Sequence, residues 1–312
     1  MPKTFTSIPV LALLVSAWGL GARAHGSDEP ATVREIVSRV EASRLGADVD
    51  HLASYGTRHT HSKQINEAGA WIHARFRSLG YQVEYHEFEL NGKTCKNVVA
   101  SRRGTTEPET WLVLGAHYDS RAKNIGDPGA KAPGADDNAS GTSGLLELAR
   151  VLSEVETACS IRLIAFSGEE QGLKGSTAYA RKAAAEKLKI RLMVNMDMIG
   201  HPTDPERLEV VVENDSGNRR PENDAPSLAF AERMRKAAAA FTGLKTTPGP
   251  LYASDYMPFE AEGFPCVGVF DGADKKPFYH TDEDAPEIVD AQYAAEVVRM
   301  VLATTLEIAA QP

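Results

Sequence analysis

Several acidic and imidazole side chains of this chain fall where apolar, strand-like runs end. "WLVLGAHYD" closes on His117 and Asp119, "IRLIAFSGEE" on Glu169 and Glu170, and "LMVNMDMIG" on Asp197. A lone charge inside such a strand would be costly to bury. Just beyond the strands the same residues can converge, because open α/β sheets bind ligands in the crevice outside the carboxyl ends of their strands. Two further pieces join the set: "GADDNASG", with Asp136 and Asp137 ahead of a predicted helix, and "FYHTDED", with His280 in a late loop. Asp137 could also serve as an ordinary helix N-cap. Taken together, two imidazoles and at least three carboxylates form a nitrogen and oxygen donor set that suits zinc. A catalytic zinc usually takes three protein ligands, so five donors point to two ions, roughly 3.5 to 4 Å apart and sharing one carboxylate.

Glu169 and Glu170 stand side by side, whereas neighbouring side chains of a continuing strand point to opposite faces. Ser167 and Gly168 are therefore expected to end the strand, placing both glutamates in a turn. Metal charge would offset their mutual repulsion.

The elements that must position these groups follow from periodicity. Apolar residues recur at helical spacing over 33–44 and 67–79, with Gly80 as a stop. "YQVEYHEFEL" alternates as a strand, and "KNVVASRR" is its hairpin partner. Short buried strands then alternate with helices over 143–154, 174–187, 227–241 and 291–310, the remaining strands being "RLEVVVEN" and "FPCVGVF". This order predicts a three-layer α/β/α sandwich, with a central sheet that is mostly parallel and made mixed by the hairpin. The Gly/Pro/Asp-rich stretches 123–134 and 213–226 read as loops.

Residues 1–24 read as a cleaved secretory signal: Lys3, an apolar core from Ile8 to Leu20, and Ala22-Arg23-Ala24 before the cut. That core is too short for a membrane anchor, which needs about 20 apolar residues. Residues 25–312 are expected to form one catalytic domain in a secreted or periplasmic monomer that stays off membranes. They hold 32 basic against 43 acidic residues, a formal charge of −11 that argues against nucleic acid or an anionic membrane surface as partner. Cys95, Cys159 and Cys266 can close at most one disulfide, and their spacing does not say which.

In order along the chain, "GAHYDS", "PGADDNASG", "FSGEEQG", "NMDMIG", "SDYMPF" and "FYHTDED" resemble the co-catalytic di-zinc aminopeptidases of metallopeptidase family 28. The resemblance runs from about Gly56 onward and implies the zinc-dependent exopeptidase fold. It also implies two Zn2+ ions bridged by Asp137, with His117 and Asp197 completing one site and Glu170 and His280 the other. Asp119 would orient His117, and Glu169 would be the general base. Tyr279 or its rival Tyr252 would steady the oxyanion. The implied reaction is removal of N-terminal residues from peptides, with Glu169 and Asp197 holding the free amine.

Other residues invite the same reading with less reason. His59 and His61 have an H-x-H spacing but fall in a polar loop, so an exposed structural role is expected. Asp136 and Asp255 are candidates for supporting the ligands. Where the family shows "SDH" this chain has "SDY", so Tyr256 is not expected to bind metal and is a candidate to shape the substrate pocket. Glu283 and Asp284 read as a charged helix approach. The competing function is a glutaminyl cyclase of similar fold with one zinc, a family that usually has tryptophan where this chain has Tyr279.

Overall fold

Hydrophobic alternation along the central strands decides the layers. In the computed structural model, which describes residues 31–272 and 276–310, Leu112, Leu114 and Ala116 of one strand face one core while Trp111 and Val113 face another. The strands are β1 (Gln82–Leu90), β2 (Lys93–Arg102), β3 (Glu107–His117), β4 (Cys159–Phe166), β5 (Lys189–Met196), β6 (Glu209–Asn214), β7 (Lys245–Pro250) and β8 (Cys266–Phe270). They form one sheet in the order β1-β2-β4-β3-β5-β8-β6-β7. β4, β3, β5 and β8 run parallel, while the β1/β2, β2/β4 and β6/β8 pairs are antiparallel.

The helices are α1 (Val33–Val37), α2 (Ala42–Ala53), α3 (Gln64–Ser78), α4 (Gly141–Leu152), α5 (Lys174–Ala185), α6 (Asp224–Phe241), α7 (Tyr256–Ala261) and α8 (Ala291–Ala309). Residues of α1, α2, α3, α4, α6 and α8 bury against one face of the sheet. Tyr179 and Ala180 of α5 and Tyr256 and Phe259 of α7 close the other. The predicted mixed, mostly parallel α/β sandwich is the fold observed.

The chain enters β3, crosses by α4 to β4 on one side, then returns by α5 to β5 on the other side of β3. β3 is thus the switch point where a crevice opens beyond the strand ends.

Two local expectations change, and the cysteine question is decided. Residues 33–44 form two helices rather than one, because Val40 turns into the core and side chains of α4 take up the freed backbone groups. Arg150 donates to the Arg39 carbonyl, and the Glu41 N–H donates to Glu147 Oε1 at 2.8 Å. β7 was not foreseen, since Pro248 and Gly249 argue against a strand; its place at the sheet edge is where proline is tolerated. All three cysteines are buried and free, so no disulfide closes. The expected signal segment lies outside the described residues, and no helix among those residues is long and apolar enough to cross a membrane.

Candidate metal centre

Each candidate ligand owes its place to the end of a strand or to a turn pinned beside one. His117 is the last residue of β3, and Asp197 follows β5 directly. β4 stops at Phe166, and Gly168 turns the chain at φ +77°, a conformation open to glycine at little cost. One carboxylate then folds the doubled acid: Asp119 accepts the Glu169 N–H at 3.4 Å and the Glu170 N–H at 3.3 Å. Asp119 is itself held by the Thr60 hydroxyl at 3.0 Å. The two glutamates leave this turn in different directions, Glu170 toward His280 and Glu169 into the open cleft.

Asp137 sits in the segment Ala135–Ser140, with backbone angles outside the helical region. It is therefore not the N-cap of α4, a position held by Ser140. The peptide Asp137–Asn138 is cis. Gly134 allows the approach, because a Cβ there would lie 2.4 Å from the Asp137 carbonyl oxygen. Arg58, fully buried, donates to the carbonyls of Leu52, Tyr118, Pro133 and Gly134. Asp284 accepts the N–H groups of Asp136 at 2.8 Å and Asp137 at 3.1 Å. Far from being a solvated helix approach, Asp284 is buried and shapes the ligand turn.

Two donor groups result. Single donor atoms of His117, Asp137 and Asp197 all lie within 4.8 Å of one another, and so do those of Asp137, Glu170 and His280. Asp137 Oδ1 is 3.3 Å from His117 Nε2, while its Oδ2 is 3.0 Å from His280 Nε2. The two oxygens of one carboxylate thus face two different imidazoles. His117 Nε2 also lies 3.2 Å from Asp197 Oδ1, and His280 Nε2 3.1 Å from Glu170 Oε2. Glu170 Oε1 and His280 Nε2 are buried without a hydrogen bond among the described residues. Buried polar atoms that converge without such partners call for a cation, and nitrogen with oxygen donors fits zinc.

Neighbouring groups orient these donors. His117 Nδ1 lies 3.1 Å from the Asp119 carbonyl and 3.6 Å from its carboxylate, which leaves Nε2 to face the site. Asp197 Oδ2 accepts the Ser254 hydroxyl at 2.5 Å. Arg121 Nε donates to Glu170 Oε2 at 2.8 Å.

Burial and the mutual charges of these groups set their titration. Burial, and then the Asp137 charge, push the Glu170 carboxyl up to about 7. Burial likewise holds Glu169 well above the usual carboxylate range. Burial opposes a charged His280, but the adjacent Asp137 and Glu170 carboxylates outweigh it and raise the imidazole to about 9. The same contest leaves His117 well above the ordinary imidazole value and Asp137 below the carboxylate range.

A cleft of about 460 Å³ opens over the group, lined by His117, Asp137, Glu169, Asp197, Tyr252 and Tyr279 among others. Tyr279 stacks on His280 with ring centroids 3.6 Å apart, while Tyr252 is 50% exposed. Both phenols therefore border the site. Tyr256 does not: it is buried among α5 and α7, and its hydroxyl accepts the Tyr252 N–H at 3.4 Å.

His59 is buried rather than exposed, with Nε2 2.9 Å from the Ile125 carbonyl, and neither it nor His61 belongs to the donor groups. Asp136 is buried and bonded to the Gly200 N–H at 2.9 Å. Asp255 is buried at the start of α7, and burial pushes its carboxyl up to about 7. Arg58, Thr60, Arg121 and Ser254 were not anticipated, nor was Lys276, whose ammonium donates to Asp136 beside the candidate ligand Asp137. They reach the site from distant segments, and only Arg121, two residues past Asp119, carried a local hint.

An α/β sheet with paired imidazole and carboxylate clusters at its switch point defines a metal-centred hydrolase architecture. The profile described as "Peptidase family M28" matches residues 97–305. A probable zinc metalloprotease of Leptosphaeria maculans is 30% identical over 90% of this chain and 77% of that protein. In fold, the chain is similar to the aminopeptidase from Aneurinibacillus sp. strain AM-1, with a TM-score of 0.74 at 19% identity over 90% of this chain and 97% of the other. It is also similar to the glutaminyl cyclase of Porphyromonas gingivalis, with a TM-score of 0.72 at 22% identity over 86% and 99%. The chain belongs to peptidase family M28 and is a zinc metallopeptidase.

Proposed function

We propose that this metallopeptidase is an exported aminopeptidase that works with two zinc ions. The observation that carries the reading is the division of Asp137, whose two oxygens face His117 and His280 separately. His117, Asp137 and Asp197 would hold one ion, and Asp137, Glu170 and His280 the other. Zinc bound there would acidify a water and polarise the scissile carbonyl. Glu169 faces the cleft from the same turn as Glu170. Its carboxylate takes the proton of the attacking water and passes it to the leaving amine. Tyr279 or Tyr252, both lining the cleft, donates to the developing oxyanion. Glu169 and Asp197, both lining the cleft, offer negative charge to the α-ammonium of a free N-terminus. In this reading residues 1–24 are removed on export, and residues 25–312 work as one catalytic domain in a monomer.

Aminoacyl p-nitroanilides and their N-acetylated counterparts, assayed with and without chelator, test the proposal. We expect chelator-sensitive release from free amino termini alone. Equal rates on blocked termini would defeat the exopeptidase reading, and formation of pyroglutamyl peptides by a one-zinc protein would turn it to cyclase chemistry.

A further inference from the structure

Behind the donor groups, out of reach of the cleft, lies a buried lysine. Lys276 Nζ donates to Asp136 Oδ2 and to Asp271 Oδ2, and all three residues are buried. Each aspartate carries the contact onward. Asp136 directly precedes Asp137, and its other oxygen accepts the Gly200 N–H at 2.9 Å, three residues past Asp197. Asp271 accepts the His201 N–H at 3.2 Å, while its own N–H donates to the Met198 carbonyl at 2.9 Å. Lys276 also starts the turn leading to His280, for its carbonyl accepts the Tyr279 N–H at 3.1 Å.

One ammonium group therefore joins the turn of Asp137, the segment after Asp197 and the loop of His280. Those segments bear three of the five donors. The other two, His117 and Glu170, are tied separately by Asp119.

The geometry points to Lys276 as a positioning residue that sets the affinity of both zinc ions at once, working through Asp136 and Asp271. This rests on the two-zinc reading above. Asp137 belongs to both donor groups, so moving its turn disturbs both; Asp197 moves with one and His280 with the other. Lys276 is not among the residues lining the cleft, so it has no part in holding substrate. Its removal would also leave Asp136 and Asp271 as facing buried carboxylates, which destabilises a core by charge alone.

Two variants separate positioning from mere charge neutralisation. In K276M, chelator competition should show both zinc ions bound about 10- to 100-fold more weakly, the range typical for residues that orient metal ligands. Saturating zinc should bring kcat most of the way back with KM unchanged. In K276M/D271N the facing charges are reduced, so thermal stability should recover while zinc affinity stays low. Should K276M fail to fold, the double variant decides. Wild-type zinc affinity in a folded K276M, or its full recovery in the double variant, overturns the inference. Loss confined to one ion does so too. A wild-type protein that holds a single zinc in the same titration overturns the two-zinc reading itself, which separates the two failures.

Discussion

Glu169 and Glu170 share one turn and one pair of hydrogen bonds to Asp119, yet their carboxylates meet different surroundings. Glu170 meets His280 and Arg121, and Glu169 meets the cleft. Their substitutions should therefore differ in kind. In the two-zinc reading, Glu169→Gln should retain both ions by metal analysis and lose about 10²- to 10⁴-fold in kcat, the range for a general base. Glu170→Ala should lose tight binding of one ion. Equal metal loss in both, with Glu169→Gln active, would reverse the assignment. The two phenols can be separated in the same way. Whichever of Tyr279→Phe and Tyr252→Phe lowers kcat by about 10²-fold or more supplies the oxyanion donor. If neither does, no phenol takes that part.

At the scale of elements, the site depends on turns held at unusual backbone angles next to rigid strands. Gly134 has φ +56° and lies against both the Asp137 carbonyl and the Ser120 side chain, where an added Cβ would have no room. Gly134→Ala should therefore cost about 1–3 kcal/mol of stability in chemical denaturation, the usual scale of such strain, and weaken zinc binding by displacing Asp137. An unchanged zinc affinity would show that the 135–140 segment tolerates movement. The parallel strands β3, β4 and β5 were readable from sequence because their apolar runs are long and end in polar groups. The break between α1 and α2 was not, since it depends on Glu147 and Arg150 reaching back from α4.

Across the whole molecule, many acidic groups are gathered around a place meant for cations. Without metal, burial raises Glu170, Asp255 and Asp284 to about 7 each. Between the ordinary carboxylate range and about 7, the folded state then binds protons that the unfolded chain has released. Such groups stabilise below the unfolded value, and that stability is lost as pH rises through the folded one. His280, raised to about 9, extends the same sign from the ordinary imidazole value upward. The Tm of chelated protein should thus fall steadily from about pH 5 to about pH 9. Zinc binding displaces the protons of Glu170 and His280, so its addition should raise Tm more at about pH 8 than at about pH 5. Calorimetry at both values checks this, and a zinc effect independent of pH would contradict it.

The sequence by itself determined the layered α/β architecture and the candidate donors. Strand periodicity and polar strand ends are local properties, and six ordered motifs brought His117, Asp119, Asp137, Glu169, Glu170, Asp197, Tyr279 and His280 together on paper. Tertiary structure alone decided how those donors are held. Arg58 reaches Pro133 and Gly134, Lys276 reaches Asp136 across 140 positions, and Asp284 reaches Asp136 across 148. Hydrogen bonds between segments so far apart leave no period or spacing in the chain. The buried groups that make them look, in sequence, like ordinary surface charges.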